Sequence, residues 1–396
     1  MKNKQGLTLS ILLMNLFIAF LGIGLVIPVL PSIMNELQIS GKVIGYLTAS
    51  FALTQLILSP IAGKAVDRYG RKVMIVLGLF IFGFSELLFG LGKTVEVLFV
   101  SRILGGVSAA FIMPAVTAFI ADITTMDTRA RALGYMSAAI STGFIIGPGI
   151  GGFLAAYGTR VPFFSAAVLG GIAAVLSILL LKEPARQQVE IAETGHTPQM
   201  SSFKKILIPM FLIAFIVIFV SSFGLAAFES FFSLYVDHKF AFTEKDIAIA
   251  ITGGAIIGAI FQIVLFDPLM KKWGEINLIR ISLLYSAIFV YAMTVATSYW
   301  GIMIITFLVF VGFDLIRPAV TTYLSRIAGN EQGFVGGMNS FFTSLANVFG
   351  PILGGSLFDL NIDYPYYFGA VVLLVGLVLS MFWQDPSKKG LQEKIR

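Results

Sequence analysis

The chemistry open to this chain rests on a few ionisable side chains set inside long apolar stretches. Glu229 stands in Phe223-Gly224-Leu225-Ala226-Ala227-Phe228-Glu229-Ser230-Phe231-Phe232, and Asp314 in Phe310-Val311-Gly312-Phe313-Asp314-Leu315-Ile316-Arg317-Pro318. Charge at membrane depth is costly, so an acid kept there is a functional hypothesis by default. Asp314 and Arg317, three residues apart, share one face of a helix and can neutralise one another. Glu229 has no cation within four residues of it in the chain, and its aromatic neighbours disfavour the ionised carboxylate. These residues nominate Glu229 as a proton carrier, with Asp314 as a second carrier or a gate. The plain alternatives are an interfacial Glu229 beyond the end of its helix and a purely structural Asp314–Arg317 pair.

The elements that must position these groups are membrane helices. The chain is 57% hydrophobic and 12% charged, against about 25% charged for a soluble domain. Apolar stretches of about 20 residues recur, the length needed to cross a bilayer. Twelve are expected, near 8–30, 42–62, 73–92, 97–120, 132–156, 162–181, 206–236, 246–266, 277–297, 300–324, 334–358 and 365–383. Lipid leaves a backbone no water to bond with, so spans are helices or closed barrels. The absence of period-2 alternation selects helices. By composition the 40 glycines are in excess, and small residues let helices approach closely where apolar burial gives little drive.

About 20 of the 27 Lys and Arg fall at the termini or in loops after even-numbered spans. The positive-inside rule then puts both termini in the cytoplasm, and the net charge of +6 reflects topology rather than nucleic-acid binding. With no cysteine, disulfides, thiolate catalysis and iron–sulfur ligation are excluded. Apart from a polar interval near 182–205, the connections are short and leave no room for a soluble catalytic domain. The expected division is residues 1–184 as an N-terminal six-helix half, 185–205 as a cytoplasmic linker, 206–383 as the C-terminal half and 384–396 as a cytoplasmic tail.

The two halves echo one another about 204 residues apart. Phe111-Ile112-Met113-Pro114-Ala115-Val116-Thr117 is matched by Leu315-Ile316-Arg317-Pro318-Ala319-Val320-Thr321, and Gly147-Pro148-Gly149-Ile150-Gly151-Gly152 by Gly350-Pro351-Ile352-Leu353-Gly354-Gly355. Internal repeats of this kind build many secondary transporters. The echo fails where Met113 becomes Arg317, and that asymmetry points to the chemistry.

Three motifs punctuate the first half. Gly63-Lys64-Ala65-Val66-Asp67-Arg68-Tyr69-Gly70-Arg71-Lys72 fits G-x-x-x-D-R-x-G-R-K. In it, Asp67 can meet a helix N-terminus while Arg68 and Arg71 pair with carboxylates. The second half keeps a remnant in Asp267 to Gly274. Arg102, inside the fourth span, costs about 2.5–3.5 kcal/mol on insertion scales, so it needs a partner or water; Glu86 is the candidate, and a structural pair the alternative. In the fifth span, Gly143-Phe144-Ile145-Ile146-Gly147-Pro148-Gly149-Ile150-Gly151-Gly152 combines a helix-bending proline with close-packing glycines. Gly147, Gly149 and Gly152 also fit a dinucleotide fingerprint, but no strand precedes them. No ATPase motif is found, and no metal or cofactor set.

Phe20, Phe51, Gln55, Phe144 and Phe310 fall on the first, second, fifth and tenth spans. An aromatic cavity holding a carboxylate suits flat lipophilic cations, through stacking, cation–π attraction and charge pairing.

The loop at 63–72 is the signature of the major facilitator superfamily, and Gly147, Pro148, Gly151 and Gly152 match its antiporter motif. With Phe20-Leu21-Gly22-Ile23-Gly24-Leu25-Val26-Ile27-Pro28, Phe228-Glu229 and Gly312 to Pro318, nearly the whole chain resembles the NorA/Bmr type of bacterial multidrug efflux pump. The resemblance implies an all-α membrane protein with twelve helices in two pseudo-symmetric halves. It implies a multi-pass plasma-membrane exporter of lipophilic drugs in exchange for protons, working as a monomer without cofactor, nucleic acid or enzymatic step. Glu229 and Asp314 would be the proton-linked carboxylates, with Phe20, Phe51, Gln55, Phe144, Phe310 and Arg317 lining the cavity. Gly63, Asp67, Arg68, Gly70, Arg71 and Arg102 would serve gating with the fifth-span motif. The alternative is a proton-coupled transporter of one metabolite, moving drugs incidentally.

Overall fold

The computed structural model describes residues 2–183, 209–328 and 332–383; the expected linker 185–205 and tail 384–396 lie outside them. The first span is broken: α1 (Lys2–Val26) passes through a 3₁₀ turn at Ile27–Val29 into α2 (Leu30–Leu37). Pro28 and Pro31 explain the break, since neither can donate to an α-helical ladder. Then come α3 (Gly41–Tyr69), α4 (Arg71–Leu91), α5 (Val95–Ile123), α6 (Met126–Ala155) and α7 (Val161–Leu180). They are followed by α8 (Pro209–Phe240), α9 (Glu244–Trp273), α10 (Glu275–Val295), α11 (Tyr299–Ala328), α12 (Gln332–Leu360) and α13 (Tyr364–Met381). Among the described residues, 12 helical stretches are long and apolar enough to cross a membrane, counting α1 and α2 as one.

Several helices outrun the apolar stretches that announce them. The second apolar stretch ends near residue 62, yet α3 continues to Tyr69. The helix stops only at Gly70, whose φ of 102° is strained for any residue with a Cβ. Gly274, with φ 74°, divides α9 from α10 at the same repeat offset. Ser40 caps α3 by accepting from the Val43 amide at 3.4 Å, and Thr125 with Thr128 forms a capping box on α6, as such residues do at helix starts.

The chain forms two compact units. The first comprises the described parts of Met1–Ala192 with Phe232–Thr252, the second those of Glu193–Phe231 with Gly253–Arg396. In the first, α6 lies against α1 through Gly143, Gly147 and Gly151, one turn apart on a single stripe. A Cβ on Gly143 would sit 2.8 Å from the Phe17 carbonyl oxygen, one on Gly147 would sit 2.7 Å from that of Leu21, and one on Gly151 would overlap that of Leu25. In the second unit, α12 repeats the contact against α8. A Cβ on Gly350 would sit 3.1 Å from that of Ala226 and 3.3 Å from the Phe223 carbonyl oxygen, and one on Gly354 would sit 2.7 Å from the Phe231 ring.

Hydrogen bonds tie α4 to α5: the Ser85 hydroxyl donates to the Ser101 carbonyl at 2.8 Å, and the Ser101 hydroxyl to the Ser85 carbonyl at 2.9 Å. Asn15 donates to the Ser177 hydroxyl at 2.8 Å, joining α1 to α7.

Candidate functional site

In the second unit, α8 carries Phe228 buried and Glu229 exposed beside it. On α11, Phe310 and Phe313 are buried, Asp314 is half-buried and Arg317 exposed. The Phe228 ring meets Phe310 edge-on at 5.7 Å, with Phe313 at 6.3 Å and Tyr366 of α13 at 6.4 Å. This aromatic packing sets the two helices side by side and brings their acids together. The charges of both Asp314 and Arg317 act on Glu229, and Arg317 acts on Asp314. The unit thus holds two carboxyls and one guanidinium within electrostatic range of one another.

In the first unit, Phe20 packs against Phe144 with ring centroids 4.9 Å apart. Phe20 and Phe51 line a small, partly open pocket with Phe82, Ile23, Ser108 and Met113. Gln55 is one turn beyond Phe51 and half-buried. Phe310, by contrast, is only 7% exposed and buttresses Phe228. Of the aromatic residues singled out, Phe20, Phe51 and Phe144 lie together, and Phe310 stands with the acids.

Arg102 donates to Glu86 at 3.0 Å, and its guanidinium lies 4.4 Å from the centre of the Phe89 ring. Phe89 stacks on Phe163 at 4.5 Å, so the charge is neutralised and covered inside the helix layer. In the signature loop, Arg71 pairs with Asp122 at 2.9 Å and with Asp67 at 3.2 Å. The carboxylate at the α4 N-terminus belongs to Glu183, which accepts from the Arg71 and Lys72 amides at 2.6 Å and 2.9 Å. The exposed Arg68 lies over the Tyr69 ring at 5.4 Å. Gly70 is required by its φ of 102°, and a Cβ there would also displace the Glu183 carboxylate, 2.8 Å away, whereas one on Gly63 would meet nothing within 4 Å.

Glu183 and Asp122 escape a reading by local motif. The repeat offset is the signal that finds Asp122. Applied to Arg71 and Asp122 it gives Glu275 and Arg326, which pair at 2.6 Å with the charges exchanged. Arg326→Glu would set like charges together, so we expect a lower membrane level of the protein, recovered by adding Glu275→Arg. Immunoblots of membrane fractions check this. Recovery failing in the double variant would mean that the pair is not what holds α10 to α11.

Long apolar helices carrying two acids and an arginine within their spans are the build of a membrane transporter. The Major Facilitator Superfamily signature matches residues 12–243 and 214–396, and the chain belongs to that family. It is 64% identical over 385 residues to Multidrug resistance protein 1 of Bacillus subtilis, covering 97% of this chain and 98% of the relative. With Quinolone resistance protein NorA of Staphylococcus aureus (strain MRSA252) it shares 45% identity over 393 residues, covering 99% and 100%. The fold matches a bacterial homolog of the human lysosomal transporter Spinster with TM-score 0.79 at 16% identity, covering 97% of this chain and 96% of that one. The nucleoside transporter NupG gives 0.77 at 16% identity, covering 95% and 98%. This chain is a multi-pass protein of the bacterial plasma membrane.

Proposed function

We propose that this protein exports lipophilic, mostly cationic compounds in exchange for protons, by alternating access and as a monomer with both termini in the cytoplasm. The observation that carries the reading is the Glu229, Asp314 and Arg317 group beside the Phe228–Phe310 contact. A proton arriving on Glu229 or Asp314 cancels the charge that attracts a cation; its departure restores that attraction. Phe20, Phe51, Phe144 and Gln55 give a lipophilic passenger apolar and aromatic surface, which is tolerant because few directional bonds must be met. The relatives named for multidrug and quinolone resistance support this choice of passenger. Exchange of one proton for one monovalent cation moves no net charge, so the pH gradient drives it; each further proton adds about 2.3 kcal/mol per 100 mV.

In inverted vesicles carrying the protein, ethidium accumulates when the interior is made acidic, and a protonophore abolishes the accumulation. Accumulation that persists after the protonophore contradicts proton coupling.

A further inference from the structure

On α9, three glycines lie against α11 within the second unit. A Cβ on Gly253 would sit 3.0 Å from the Phe307 ring; one on Gly254 would overlap the Phe310 ring, and one on Gly258 the Oδ2 atom of Asp314. Gly254 and Gly258 are a turn apart, as are Phe310 and Asp314. The ring seats at one glycine and the carboxyl at the next.

The first half shows that this arrangement is particular to the acid. At the repeat offset, Gly254 and Gly258 correspond to Ser50 and Thr54, while Phe310 and Asp314 correspond to Gly106 and Ala110. There the relief lies on the other helix: a Cβ added at Gly106 of α5 would stand 2.5 Å from the Phe51 carbonyl oxygen and 2.7 Å from the Thr54 Cβ of α3. The two halves make the same helix contact with the small residues exchanged. Only the second half opens space for a carboxyl.

We propose that Gly258 is a positioning residue for Asp314, seating its carboxyl flush with the α9 backbone. Arg317 comes from the same helix and Glu229 from α8; Tyr285 of α10 lies against Gly312, and Tyr366 of α13 against Phe228. A side chain at position 258 pushes the carboxyl off its seat, and a misplacement of about 1 Å can cost on the order of 100-fold in rate. The inference rests on the proton-exchange reading for its consequence, though not for its geometry.

The test compares Gly258→Ala with Gly254→Ala in the ethidium assay across pH. Gly258→Ala is expected to move the midpoint of the pH profile and slow transport on the order of 100-fold. Gly254→Ala, which displaces only the Phe310 ring, should change the KM for dye and leave the midpoint in place. A Gly258→Ala profile that coincides with wild type, or shifts only as Gly254→Ala does, overturns the proposal. Carbodiimide labelling of Asp314, read by mass spectrometry, needs no transport and should differ between wild type and Gly258→Ala. If wild type moves no dye, the functional reading fails while this labelling still tests the seat. If Gly258→Ala does not reach the membrane, adding Asp314→Ala removes the collision and should restore its level. Absence of that rescue also overturns the proposal.

Discussion

Glu229→Gln abolishes proton-driven ethidium export while the protein stays in the membrane. Glutamine keeps the size and hydrogen-bonding shape of the acid but cannot bind and release a proton at working pH. The expected loss is about 100-fold or more, the scale seen when a positioned acid–base group is removed. Packing should survive, because Glu229 is exposed while its buried neighbour Phe228 makes the ring contacts with Phe310, Phe313 and Tyr366. Glu229→Asp should keep part of the activity, since a shorter carboxyl still titrates. Initial rates in inverted vesicles, normalised to protein level, give the comparison. Unchanged rates in Glu229→Gln would transfer the coupling role to Asp314.

Gly151→Val should prevent the protein from accumulating. The contact at Gly151 is with the Leu25 carbonyl of α1, a backbone group that cannot rotate aside as a side chain can. Gly143 and Gly147 fix the same two helices on the same stripe, so α1 cannot yield at one point alone. Overpacking costs about 1–3 kcal/mol in ordinary cores and sometimes more, and a β-branched residue here adds two further methyl groups to the collision. Gly171→Val is the control, since a Cβ at Gly171 would meet nothing within 4 Å. Membrane levels and thermal unfolding in detergent distinguish the two. Equal behaviour would show that α1 and α6 can separate without consequence.

Much of this was legible in the chain because lipid makes the rules strict. Apolar length announces every span. Helix ends were less legible: α3 outruns its apolar stretch because a helix stops where the backbone allows, at Gly70, not where hydropathy falls. Likewise α2 emerged only from the proline break at 27–31. Glu229 and Asp314 stood out as acids in apolar surroundings, but their reach to one another depends on the Phe228–Phe310 contact, which no spacing in sequence reveals. The partnership of Arg102 with Glu86 was readable, because an intramembrane arginine demands a carboxylate and few are at hand. The role of Glu183 at the α4 N-terminus was not, since that residue lies 112 positions from Arg71 and belongs to no motif. Glycines on α9 were equally silent, because a missing side chain has meaning only once its neighbour is placed.

The most direct test of the account is proton release from the purified protein when a lipophilic cation binds. Tetraphenylphosphonium added to weakly buffered wild-type protein in detergent should acidify the solution, and the Glu229→Gln, Asp314→Asn double variant should release nothing. Equal release from the double variant, or binding by wild type with no release, would contradict the claim that these carboxyls exchange protons for the passenger.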